Sequence, residues 1–132
     1  MTTAADIERA ERIRQVFDAM IEANKHVPVI VEGKKDAEAL RRLGLEGEIL
    51  TIHRGKGLYE LSEEIADRYP AVVLLVDWDD TGESLFRTLT GNIRGHWEEY
   101  ADFRELLKML CQKEIRDIEG IPALLGRLEG NE

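Results

Sequence analysis

Asp77 and Asp79 stand two residues apart where the apolar run Val72–Val76 ends, in the stretch VVLLVDWDDTG that closes on Gly82. A continuous apolar run that stops at a turn signal predicts a strand buried on both faces of a parallel sheet. Open α/β sheets place their ligands at such carboxyl ends. In extended chain the two aspartates point one way while Trp78 points the other. Carboxylates held that close repel each other unless something positive sits between them. The stretch offers oxygen donors and neither His nor Cys, which selects a hard cation, Mg²⁺ or Mn²⁺. A plainer reading stands beside this one: Asp80 or Thr81 is only the N-cap of a helix starting near Gly82.

A third carboxylate, Glu32, ends a second apolar run, Val27–Glu32 (VPVIVE). Glu32 suits proton transfer beside a metal held by the aspartates. If the two runs are neighbouring strands they lie about 4.8 Å apart, and Glu32, Asp77 and Asp79 converge on one cation. Gly33 permits a tight turn after Glu32, and Asp36 is expected to cap the following helix. The Gly33-Lys34 pair is not a P-loop, because the upstream glycine and the following Ser or Thr are missing. A further strand, Glu48–Ile52, runs into the basic loop His53-Arg54-Gly55-Lys56-Gly57. Glycines let backbone amides approach an anion, so Lys34, Arg54 and Lys56 are the candidate phosphate contacts, with a simple turn as the alternative.

The elements that must position these groups alternate strand with helix, which argues for an α/β domain with a mostly parallel sheet. Ile7, Ala10, Ile13, Phe17, Met20 and Ile21 mark an amphipathic N-terminal helix over residues 3–25, set to pack on the domain. Ala39, Leu40 and Leu43 mark the next helix, closed by Gly44; Leu58, Leu61, Ile65 and Tyr69 mark a third, ended by Pro70. Leu85, Phe86 and Leu89 form the inner face of a helix after Gly82, and residues 93–97 (IRGHW) are expected as a short fourth strand. Tyr100–Cys111 reads as a helix and Ile115–Leu128 as one or two more, broken at Gly120 and Pro122.

With 132 residues, the chain is long enough for one domain with a real core. No apolar run nears the roughly 18 residues that span a bilayer, so a cytoplasmic protein without a membrane partner is expected. The single cysteine, Cys111, reads as a core residue. A net charge of −9 argues against tight non-specific binding to nucleic acid and leaves room for a shaped, metal-assisted contact.

Taken together, VIVEGKKD (Glu32, Gly33, Asp36) and LLVDWDDTG (Asp77, Asp79, Gly82) resemble the signature of the Toprim domain, found in topoisomerases, bacterial-type primases, repair proteins and some nucleases. The resemblance covers roughly residues 27–97 and is nearest to small stand-alone Toprim proteins. These include an uncharacterised archaeal group and the ribonuclease that matures ribosomal RNA, whose helix the run Glu83–Leu89 with Arg87 is similar to. One departure is Thr81, where topoisomerases carry a third aspartate. The resemblance implies a Rossmann-like Toprim fold with a mostly parallel four-stranded sheet flanked by helices. Residues 1–26 add an N-terminal helix, 27–97 form the core, and 98–132 are a C-terminal helical extension packed on the same domain. It implies Glu32 as general acid or base and Asp77 and Asp79 as Mg²⁺ ligands at a phosphodiester, with nucleic acid as partner. The expected function is a Mg²⁺-dependent nuclease on RNA or DNA. The alternative is a non-catalytic, metal-binding module in a repair or RNA-processing complex. A protein partner or a homodimer is left open.

Overall fold

The computed structural model describes residues 1–52 and 56–131. The chain alternates α1 (Ala4–Asn24), β1 (Val29–Val31), α2 (Lys34–Arg42), β2 (Ile49–Thr51), α3 (Leu58–Arg68), β3 (Val73–Leu74) and α4 (Asp80–Asn92). A 3₁₀ turn at Glu98–Tyr100 then leads into α5 (Ala101–Cys111) and α6 (Ile121–Leu128). The three strands form one parallel sheet in the order β2-β1-β3. Ile30 pairs with Leu74 on one side and Leu50 on the other. The strands bearing Glu32 and Asp77 are therefore direct neighbours, as convergence requires.

Alternation along the strands divides the core into two layers. Val29, Val31, Val73 and Leu75 face a cluster built with α1, α5 and α6, including Ile13, Phe17, Leu107 and Leu125. Ile30, Val72, Leu74 and Val76 face the opposite layer, where α3 and α4 contribute Leu61, Ile65, Leu89 and Ile93. The sheet is thus buried on both faces, which is why its strands read as unbroken apolar runs rather than as alternating ones. The C-terminal helices belong to the first layer, so the extension is part of the core. Cys111 is fully buried there, and burial pushes its thiol up to about 12.

Thr3 caps α1 by accepting from Asp6 N, and the Asp6 carboxylate accepts in return from Thr3 N. At its other end Asn24 is buried and donates to the carbonyls of Val27 and Glu48 while accepting from Gly47 N. One amide thereby joins the end of α1 to the starts of β1 and β2.

The expected fourth strand at 93–97 is absent; those residues form turns. Ile93 is drawn into the end of α4, where its N–H bonds the Leu89 carbonyl and its side chain is fully buried. Gly95 then turns the chain at φ +90°, in the region that favours glycine. The segment keeps one sheet-like contact, from Val72 N to the His96 carbonyl at 2.8 Å. It covers the β3 edge without extending it. Among the described residues, no helix is long and apolar enough to cross a membrane.

Candidate functional site

The acids gather where β1 and β3 end. Glu32 follows β1 directly and its Oε2 accepts from Asp77 N at 2.8 Å. Asp77 Oδ1 accepts in turn from Ile118 N at 3.0 Å, and Asp79 Oδ1 accepts from Gly82 N at 2.7 Å as the N-cap of α4. Each of the three carboxylates therefore has one oxygen held by a backbone amide. The amides fix the direction of the group, and the second oxygen carries no described protein hydrogen bond.

Four expectations from the sequence need correcting here. The cap of α4 is Asp79 itself, not Asp80 or Thr81. Nor does strand alternation persist through the tip: it holds as far as Leu75 and Val76, which face opposite layers, and breaks at Trp78, which joins the same layer as Leu75. Trp78 consequently turns to the same segment as Asp77: its N–H bonds the Arg116 carbonyl and its indole N–H bonds the Ile115 carbonyl at 2.9 Å. Asp79 turns back into its helix. Asp36 is not the N-cap, and it caps α2 from the third helical position instead. The N-cap of α2 is Gly33, and Asp36, buried one turn in, accepts from Gly33 N at 3.0 Å. Gly33 has φ −148° and ψ −180°, extended backbone open to any residue, so no tight turn demands a glycine there.

Gly82 is different. A Cβ at that position would lie 2.2 Å from the Asp77 carbonyl oxygen and 2.5 Å from its carbon. The first turn of α4 can sit against the acid-bearing backbone only without a side chain at 82.

The electrostatics follow from this crowding. Burial pushes the Asp77 carboxyl up to about 7; the Ile118 N–H opposes the rise, while Asp36, Glu32 and Asp117 add to it. Asp36 is raised too, by burial first, against the pull of the Gly33 N–H and with help from Glu32, Glu119 and Asp117. Among the described residues, none of Glu32, Asp36, Asp77, Asp79 and Asp117 forms a salt bridge. No group of three acidic, His or Cys side chains there is arranged to hold a metal ion as it stands. Mg²⁺ does not need such a cage, since it keeps several waters and binds through one or two carboxylates. An all-oxygen donor set with excess negative charge suits a hard cation.

A raised Asp77 makes stability depend on pH with a definite sign. The folded chain holds the Asp77 proton more tightly than the unfolded chain, whose ordinary value is 3.8. The resulting stabilisation is complete below that value and is lost as pH rises through about 7. Without divalent cation, the wild type is expected to lose about 2 kcal/mol relative to Asp77→Asn across that interval, read from urea midpoints. That is roughly half of what the full shift would give, because solvent screens the partly exposed carboxyl. Parallel profiles for the two proteins would refute the assignment.

The basic candidates fall differently. Lys34 is exposed at the first position of α2, next to Gly33 at the tip. Lys56 Nζ pairs with Glu64 at 2.6 Å on α3. Arg54 lies outside the described residues.

Sequence reading missed three contributors, all from the C-terminal extension. They are the Ile118 amide, the Asp117 carboxylate and Arg104, which is 1% exposed. Arg104 sits at helical spacing with Leu107 and Cys111, so a charge inside the apolar stripe of α5 was the available signal. The hollow nearest the tip, about 450 Å³, is lined by Leu58, Asp80, Thr81, Ser84, Leu85 and Thr88. A larger one, about 710 Å³, lies beside Met1, Thr2 and Arg127 and includes none of the tip acids.

No family model matches the chain. Whole-chain relatives do. A UPF0292 protein of Methanosarcina barkeri is 35% identical over 124 residues, covering 92% of this chain and 85% of the relative. One of Pyrococcus horikoshii is 33% identical over 123 residues, covering 92% and 90%. A Thermoplasma volcanium relative of the same name is 34% identical over 100 residues, covering 76% and 83%. Among solved structures, a protein from Aquifex aeolicus aligns at TM-score 0.64 with 23% identity, over 80% of this chain and 94% of that one. That likeness concerns the fold.

Proposed function

The chain belongs to the UPF0292 family, and from its acidic tip we propose that it is a small Toprim-type protein performing Mg²⁺- or Mn²⁺-dependent phosphodiester chemistry on nucleic acid, as a nuclease on RNA or DNA. The observation that carries this reading is the Glu32–Asp77 junction. Adjacent parallel strands bring a glutamate and an Asp-x-Asp pair to one end of the sheet, and among the described residues none of the three forms a salt bridge.

Asp77 and Asp79 would hold the cation through the oxygens that backbone amides leave unengaged, with Glu32 beside it. A bound divalent cation supplies charge neutralisation at a phosphodiester and acidifies a bound water. Glu32, anchored through Oε2, has Oε1 available to take or return a proton. The exposed Lys34 is the favoured phosphate contact, and Arg54 keeps that role on sequence grounds alone.

The second reading is a metal-ordered binding or scaffold module. It is favoured by the net charge of −9 and by the pairing of Lys56 with Glu64, which takes one expected phosphate contact out of play. Labelled single- and double-stranded DNA, single-stranded RNA and a structured RNA, each with Mg²⁺, Mn²⁺ or chelator, separate the two. Metal-dependent cutting of any substrate supports the nuclease. Metal binding without cutting moves the assignment to the scaffold, and no metal binding at all overturns both.

A further inference from the structure

We propose that Arg104 is a positioning residue for the acidic tip, bracketing Asp77–Asp79 by holding the end of β3 on one side and the first turn of α4 on the other; the inference rests on the reading of that tip as a cation site. Arg104 donates from Nε to the Val76 carbonyl at 2.8 Å and from Nη2 to the Asp77 carbonyl at 2.6 Å. Nη2 also reaches Glu83 Oε1 at 2.8 Å, and the guanidinium lies 4.1 Å from the centroid of the Phe86 ring. Val76 and Asp77 precede the tip; Glu83 and Phe86 follow it. One buried side chain thus fixes the tip's two ends relative to each other.

Burying a guanidinium is costly unless its charge and donors are met, and an apolar residue of similar volume would fill the same space in α5 more cheaply. The bonds that Arg104 makes are ones an apolar residue could not supply. Its planar fork spans two successive carbonyls with parallel donors, which the single ammonium of lysine cannot do. It touches carbonyl oxygens and Glu83, not the carboxylates of Asp77 or Asp79. It therefore orients the acids without neutralising them, and leaves their charge for a cation from solution. Lys108, one turn further along α5, holds Glu83 at 3.2 Å. Burial raises the Glu83 carboxyl, but Arg104 and Lys108 together bring it below the usual range. The bridge to α4 is accordingly charged across the neutral range.

The tip contains its own reporter. Trp78 and Trp97 are the two tryptophans, and Trp97 Nε1 is buried without a hydrogen-bond partner among the described residues, so Trp97→Phe loses no described hydrogen bond, keeps an aromatic ring against Phe86 and leaves Trp78 as the single indole. In that background Arg104→Lys and Glu83→Ala are compared with the parent. The measurements are Mn²⁺ affinity, acrylamide quenching of Trp78 and the urea midpoint. Arg104→Lys is expected to weaken Mn²⁺ binding roughly 10- to 100-fold, as loss of a ligand-orienting partner does, and to increase quenching. Glu83→Ala is expected to shift both readouts the same way by a smaller factor. A role confined to filling the core would move the midpoint alone. Parental Mn²⁺ affinity and quenching in folded Arg104→Lys overturn the proposal. Should Arg104→Lys fail to fold, Glu83→Ala decides it by the same two readouts. A parent that binds no Mn²⁺ defeats the cation reading, and Trp78 quenching then decides Arg104 independently.

Discussion

Glu32→Gln is expected to fold like the wild type and to lose metal-dependent cleavage by roughly two to four orders of magnitude, the usual effect of removing a general acid or base. The substitution suits the question because of what Glu32 touches. Its Oε2 accepts from Asp77 N at 2.8 Å, and the amide oxygen of glutamine can accept the same bond. The link between β1 and β3 is thereby retained, and only the proton-carrying capacity and charge are lost. Urea denaturation should place the variant close to wild type, while single-turnover cleavage on the best substrate falls. A variant cutting at the wild-type rate would remove Glu32 from the chemistry. One with a collapsed midpoint would show that Glu32 is needed mainly to hold β3.

Gly82→Ala is expected to destabilise the protein by about 3 kcal/mol, at the upper end of overpacking effects. The intruding Cβ meets the Asp77 carbonyl at 2.2 Å, and a backbone atom cannot swing aside as the end of a side chain can. That carbonyl is also the acceptor of the 2.6 Å bond from Arg104, so relief of the clash strains the bracket around the tip. The control is Gly33→Ala. Its backbone is extended, and the nearest atom to the added methyl is Asp36 Oδ2 at 3.9 Å, an ordinary contact. Gly33→Ala should be neutral or stabilising by about 0.5 kcal/mol through the unfolded chain. Equal midpoints for the two variants would show that the α4 turn can move away from Asp77 at little cost.

The contrast between those glycines marks what the sequence can and cannot tell. Apolar runs announced β1 and β3 because a strand buried on both faces has no polar alternation, and their adjacency gave the meeting of Glu32 with Asp77. Helical spacing likewise located α1, α3, α4 and α5. What failed was direction and capping at the tip. Alternation holds through Val76 and breaks at Trp78, whose bonds to the Ile115 and Arg116 carbonyls draw it to the α1, α5 and α6 layer. Asp79 and Asp80 are equally good caps by type, and only the packing of Gly82 on Asp77 selects Asp79. At 93–97, Ile93 fits a strand as well as a helix end, and tertiary packing against Leu89 settles it as a helix end. The contacts from Ile115, Arg116 and Ile118 to Asp77 and Trp78 span about forty residues of chain and leave no local pattern to read.

Cys111 has a consequence of its own. It is the single thiol of the chain, fully buried in the layer that packs α5 and α6 on α1. A thiol reagent can attack only when that layer parts, so labelling in native buffer becomes a clock for the opening of the C-terminal extension. When reclosing outruns labelling, the slowing relative to unfolded chain gives the opening equilibrium directly. If the extension opens only with the whole molecule, that equilibrium will equal the one from urea. If labelling is faster, the extension detaches as a separate cooperative unit and takes Arg104 and Ile118 away from the acids. Occupancy of the tip would then be linked to docking of a helix pair, and a divalent cation would slow the clock without touching the thiol.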